Sequence, residues 1–195
     1  ASFTAMKAVS MGSKVFVFGT NGSQTIVYAA AKENGNSWTK LNKTFTADAY
    51  KSVVTQGNKL FVIDNGTVYS STDGNTWTTV ATNSSLKQLV AASPVELFAL
   101  SNTGSLLSSK DNGATWTAES LDSSTSLLPT SNINYSYTAI TSNLYSVLLV
   151  GKPASGTHNT SWTKVSYRPS EQWNYVESNA DKFQLPLYKN LTVVD

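Results

Sequence analysis

Two short segments concentrate the residue types that carry chemistry: Ser71, Asp73, Gly74, Thr76 and Trp77, and again Ser109, Asp111, Gly113, Thr115 and Trp116. A carboxylate two residues after a hydroxyl, with a glycine close behind, can serve as a general base, a metal ligand or a turn-former. The surroundings favour the turn. No histidine or second carboxylate shares either segment, and Asp111-Asn112-Gly113 lacks the further acidic ligands and closing glutamate of a calcium loop. An aspartate so placed accepts hydrogen bonds from the amides of its own turn, and the glycine supplies the positive φ that such a turn needs. The tryptophan then folds back under the hairpin into an apolar core, where truncation to alanine costs about 3–5 kcal/mol.

The remaining titratable residues are sparse. Asp48, Asp64, Asp122, Glu96, Glu119, Glu171 and Glu177 stand singly in polar loops or at strand ends and read as solvated charges, although Asp48 and Asp64 could meet at one mouth of the fold. His158 is the one histidine, and without cysteine it builds no zinc site. No serine sits in a G-x-S-x-G context. Neither a catalytic centre nor a metal nor a cofactor is therefore expected. Among aromatics outside the expected core, Tyr135, Tyr137, Tyr167, Trp173 and Tyr175 stand beside Asn and Asp residues; Trp173 and Tyr175 are the candidate ligand-binding pair, with a structural anchor as the competing role.

The elements that position these residues follow from a repeat. Tryptophans recur at Trp38, Trp77, Trp116 and Trp162, at steps of 39, 39 and 46 residues. Aligned on them are AKENGNSW (31–38), STDGNTW (71–77), SKDNGATW (109–116) and SGTHNTSW (155–162). Each is preceded by a mixed strand (MKAVSM, YKSVVTQ, LKQLVAA, YSYTAIT) and a more apolar one (KVFVFG, KLFVID, ELFALS, YSVLLV), and is followed by a short alternating strand. The apolar strands have no polar face, so each must be covered on both sides.

The S-x-D-x-G-x-T-W pattern resembles the Asp box of the bacterial neuraminidase repeat, fully at 109–116 and in a one-residue-shorter form at 71–77. The first copy departs from it with Ala31 and Glu33, the fourth with Thr157 and Asn159, and both are expected to be degenerate turns. The resemblance implies an all-β fold: a β-propeller segment of about four four-stranded antiparallel blades, at about 1–45, 46–84, 85–124 and 125–167, with each box between third and fourth strands. Residues 168–195 break the period and end in YKNLTVV, similar to the first strand of a further blade, so the propeller is expected to be incomplete and completed by missing blades or by self-association. More loosely, the chain resembles Bacteroides-type envelope proteins of unknown function, which implies an extracellular, periplasmic or outer-membrane-anchored bacterial location. Sialidases with this repeat clamp their substrate's carboxylate with three arginines. This chain has only Arg168.

Composition agrees with strands and turns. Hydrophobic residues make up 40%, whereas charged residues are only 13%, about half the usual share. A net charge of +2, from singly scattered lysines, forms no dense basic face, so nucleic acid is not an expected partner. No run is long and apolar enough to span a bilayer as a helix, and ASFTAMKAVS lacks the regions of a signal peptide, which is expected to have been removed or to lie upstream. The expected role is a non-catalytic binding or scaffold module for a glycan or protein; the alternative is part of a glycan-processing enzyme whose catalytic residues lie outside this chain.

Overall fold

A computed structural model of the chain describes residues 3–119, 135–143, 146–153, 162–167 and 174–178. Among the described residues sixteen strands form four four-stranded sheets, each a meander in which consecutive strands pair antiparallel. The first blade is β1 (Thr4–Met11), β2 (Lys14–Thr20), β3 (Gln24–Ala31) and β4 (Asn34–Thr46). The second is β5 (Val53–Gln56), β6 (Lys59–Asp64), β7 (Thr67–Ser71) and β8 (Thr78–Thr82). The third is β9 (Leu86–Ser93), β10 (Glu96–Ser101), β11 (Leu106–Ser109) and β12 (Thr117–Ala118), and the fourth is β13 (Tyr135–Asn143), β14 (Ser146–Pro153), β15 (Trp162–Tyr167) and β16 (Asn174–Ser178). First strands touch in succession, β1 with β5, β5 with β9 and β9 with β13, so the blades follow one another with their first strands alongside.

Tight turns set the register inside each blade. Between β6 and β7 the pair Asp64↔Thr67 is closed by Asn65 and Gly66 alone, both at positive φ (47° and 74°), the type I′ geometry whose twist matches that of the flanking strands. Asn-Gly is the pair that adopts it with least strain.

The second strands carry the core. Successive side chains of a strand point to opposite faces, so β6 sends Leu60 and Val62 one way and Phe61 and Ile63 the other. Leu60 and Val62 join Phe16, Phe18 and Val53 in one apolar cluster, while Phe61 and Ile63 join Leu89, Leu97 and Ala99 in the next. From β10, Phe98 and Leu100 then meet Val147 and Leu149 of β14 in a third. Each cluster lies between two neighbouring blades, and each interior blade is apolar on both faces, which is why these strands show no polar alternation.

Polar ties supplement the clusters. The Gln56 amide donates to the Ser93 carbonyl at 3.0 Å and the Ser142 hydroxyl to the Ala91 carbonyl at 2.8 Å, joining blade 2 to 3 and blade 4 to 3. Asp64 accepts from the Thr46 amide at 3.2 Å and from the Thr46 hydroxyl, fastening the end of β4 to blade 2.

Two elements differ from the sequence expectation. In YKSVVTQ the first three residues belong to a 3-10 turn, Ala49–Ser52, rather than to the strand. Burial of Tyr50 and the Ser52 hydroxyl, which donates to the Ile63 carbonyl at 2.9 Å, hold it there. In the fourth blade WTKVSY is the third strand, not the fourth, because β15 pairs with β14 from Val147↔Tyr167 to Gly151↔Thr163. The fourth strand comes instead from β16, inside 168–195, pairing Trp162↔Ser178 through Ser166↔Asn174. The segment 155–161, expected as a degenerate turn, with His158, and Arg168 and the closing YKNLTVV lie outside the described residues.

If the faces between blades carry the stability, Leu60→Ala should cost about 2–5 kcal/mol. Val95→Ala, at a side chain 69% exposed, should stay within about 0.5 kcal/mol. Urea-unfolding midpoints of the two variants measure the contrast.

Candidate functional site

The two Ser-Asp-Gly-Trp segments fold as closed clasps between the third and fourth strands of blades 2 and 3. In blade 2 the Ser71 hydroxyl donates to Asp73 Oδ1 at 3.0 Å and accepts from the Gly74 amide at 2.8 Å. Asp73 Oδ1 also accepts from the amides of Asn75 and Thr76, each at 2.7 Å. The indole Nε1 of Trp77 then donates to the Gly74 carbonyl at 2.8 Å. Blade 3 repeats the pattern: Ser109 to Asp111 at 2.8 Å, the Gly113 amide to Ser109 at 2.8 Å, the Thr115 amide to Asp111 at 2.9 Å and Trp116 Nε1 to the Gly113 carbonyl at 2.9 Å. The longer loop takes up its extra residue at Asn112, with φ 60°.

The clasp reaches the preceding blade. Trp77 stands edge-on to Phe45 at 5.1 Å and to Phe18 at 6.5 Å, and the Asn42 amide donates to Asn75 Oδ1 at 3.2 Å. A Cβ at Gly74 would collide with the Phe16 ring, and its φ of 79° is one that other residues rarely adopt, so glycine is required there twice over. Gly113 is looser: a Cβ would meet Val68 Cγ1 of blade 2 at 3.4 Å.

The first copy does not make a clasp. Ala31 has no hydroxyl to accept from the glycine amide, and Glu33 carries its carboxylate one methylene further out. The chain instead turns at Lys32 and Glu33, pairing Ala31↔Asn34, and bulges until Thr39 meets Ala29. Trp38 consequently lies outside the core, 44% exposed, unlike Trp77 and Trp116, which pack against the apolar clusters. Glu96 departs from the sequence expectation. It is buried at the start of β10, with Lys110 Nζ 3.7 Å away, rather than solvated.

Electrostatically, both clasp carboxylates are held to about pKa 2. For Asp73 the largest cause is the hydrogen bond from the Thr76 amide, followed by that from Asn75. For Asp111 it is the Thr115 hydroxyl at 2.5 Å, then the Thr115 amide. A carboxylate this acidic is a poor proton acceptor near neutrality, since general-base strength falls with pKa. Asp48 pairs with Lys51 at 3.3 Å, and Asp64 accepts from Thr46. Among the described residues no three His, Asp or Glu side chains gather to hold a metal, and no helix is long and apolar enough to cross a membrane.

Of the ligand-binding candidates, Tyr175 falls on β16 opposite Val165, and Trp173 lies outside the described residues. The Asp64–Thr46 and Asn75–Asn42 ties escaped sequence reasoning because their partners are distant in the chain, and no local pattern announces them.

Successive four-stranded meanders packed face to face, with hairpin clasps reaching back to the preceding sheet, define a β-propeller domain. The chain belongs to the DUF6242 beta propeller domain family, whose model matches residues 1–195. None of the curated proteins matches it. Among solved structures it is similar to YCF48 from Cyanidioschyzon merolae, with 14% identity and a TM-score of 0.58, covering 91% of this chain and 57% of that one. It is also similar to YCF48 bound to D1 peptide (15%, TM-score 0.50, 89% and 60%) and to the GH74 xyloglucanase from Xanthomonas campestris (12%, TM-score 0.51, 85% and 28%). The chain thus spans little more than half the length of the two YCF48 structures and under a third of the xyloglucanase.

Two outcomes follow from the clasps. Trp77→Ala should cost about 3 kcal/mol, as for a packed aromatic, whereas Trp38→Ala should leave the urea midpoint within about 0.5 kcal/mol of wild type. Because Asp73 and Asp111 have folded pKa values depressed to about 2, their contribution is complete above the unfolded carboxylate range and is lost as pH falls from about 4 towards 2. The double variant D73N/D111N should be less stable at pH 7, and its deficit should shrink across that window. Both carboxylates face solvent, so the effect is small per site.

Proposed function

We propose that the chain is a non-catalytic binding or scaffold module of a secreted or envelope-held bacterial protein, and that its ligand is a protein or glycan taken on the blade loops. The observation that carries the reading is the set of hydrogen bonds that Asp73 and Asp111 accept from their own turns. The two most patterned carboxylates of the chain are committed to holding hairpins and are too acidic to accept a proton near neutrality. On this reading the clasps are Asp boxes of the bacterial neuraminidase repeat type, retained for architecture. The single arginine argues in the same direction, since a sialidase-like clamp on a substrate carboxylate needs several guanidinium groups. A similar propeller bound to a peptide supports a protein ligand. The envelope location rests on the sequence resemblance alone.

A second reading is favoured by the similarity to a xyloglucanase: the blades belong to a glycan-processing enzyme whose acids lie outside this chain. The two separate on arrays of glycans and peptides. Binding without cleavage of any bound glycan, weakened at least about tenfold (about 1.4 kcal/mol) in Trp173→Ala or Tyr175→Ala with unchanged far-UV circular dichroism, supports the binding module. Hydrolysis of a bound glycan by the chain itself would overturn it. Unfolding of both variants would make Trp173 and Tyr175 anchors and move the ligand site elsewhere.

A further inference from the structure

Polar side chains tie neighbouring first strands together at three points. The Gln56 amide donates to the Ser93 carbonyl at 3.0 Å, the Gln88 amide to the Ile140 carbonyl at 3.3 Å and the Ser142 hydroxyl to the Ala91 carbonyl at 2.8 Å. Gln88 and Ser142 are only half-buried. Gln56 is different: it is 5% exposed, and its Oε1 is the one buried side-chain polar atom without a hydrogen-bond partner among the described residues.

The place of this atom follows from the strand. Val54 and Gln56 share one face of β5, and Val54 packs on the cluster of Phe61, Leu89 and Leu97 between blades 2 and 3. Gln56 therefore closes the end of that cluster, where β5 and β9 run into their turns. Turning its carboxamide over does not relieve Oε1, because the oxygen would then face the Ser93 carbonyl and the two amide protons would lose their acceptor. A buried acceptor without a donor costs at least as much as the hydrogen bond beside it returns. An apolar side chain would close the same place without that cost, so a donor at Oε1 is what makes glutamine suitable there.

The surroundings say which donor fits. Ser93 is half-buried; its hydroxyl oxygen accepts from the Val95 amide at 3.3 Å, and the hydroxyl proton has no acceptor among the described residues. A Cβ at Gly57 would meet nothing within 4 Å, so the turn that follows Gln56 borders open space and has room to shift. The nearby buried carboxylate, Glu96 opposite Ser93, has Lys110 Nζ at 3.7 Å, so the neighbourhood offers no surplus negative charge to a cation. A neutral group that both donates and accepts satisfies Oε1 and the Ser93 hydroxyl together, and water is the smallest such group. We propose that one water molecule is an integral part of the boundary between blades 2 and 3, donating to Gln56 Oε1 and accepting from the Ser93 hydroxyl. The proposal is independent of what the blade loops bind.

A high-resolution crystal structure of the chain, with long-lived waters counted in solution by magnetic relaxation dispersion of water oxygen, tests it. The expected result is an ordered water at hydrogen-bond distance from Gln56 Oε1 and the loss of one long-lived water in Gln56→Met. Since Gln56→Met also strips the Ser93 carbonyl of its donor and can loosen the boundary, Ser93→Ala, which keeps that carbonyl, is the second variant and should shorten the residence of the same water. A crystal structure with no water at Oε1 overturns the proposal. So does Oε1 bonded directly to a protein donor, such as a swung Ser93 hydroxyl, and so does a metal cation in that place. Folded variants that both keep the wild-type number and residence of long-lived waters overturn it as well.

Discussion

The structure depends on the mutual covering of sheets that are apolar on both faces. β6 and β10 bury every hydrophobic side chain they carry, alternately forward and backward, so neither blade 2 nor blade 3 has a face it can show to water. A single four-stranded meander of this composition would expose half its core. Stability is consequently shared between neighbours, as in other repeat architectures, and loss of packing at one boundary is felt by the blades on both sides.

The clasps are secondary to that packing but orient it. A serine hydroxyl, an aspartate carboxylate and a glycine close each third-to-fourth-strand hairpin, and the closed hairpin aims an indole at the blade before it. The first copy is a natural control within the same molecule. With Ala31 and Glu33 in place of serine and aspartate, the hairpin closes on two residues, the following strand runs long and bulged, and the indole of Trp38 is left outside. The tryptophan does not place itself; the hydroxyl and the carboxylate place it.

The same commitment has an electrostatic consequence. Asp73 and Asp111 gain their low pKa from amides and hydroxyls of the turn, so they act as fixed negative acceptors within the hairpin. Side chains of this kind look like catalytic or metal-binding candidates in a sequence because their chemistry is the same. What separates the cases is whether the carboxylate is already engaged, and here Oδ1 of each aspartate is engaged from within its turn.

Sequence alone determined the all-β class, the meander of short strands, the two-faced burial of the apolar strands and the residues of both clasps, because each depends on contacts between residues close in the chain or on a strict alternation. Tertiary structure decided what depends on partners far away or on competition between strands. It put Trp38 outside, because the turn at Lys32 and Glu33 outcompeted the clasp once serine and aspartate were gone. It made WTKVSY a third strand, because β14 offered its free edge and β16 then added beyond it. It buried Glu96 and assigned Asp64 to Thr46 of the neighbouring blade, ties that no local spacing can announce because they exist only after two sheets have packed.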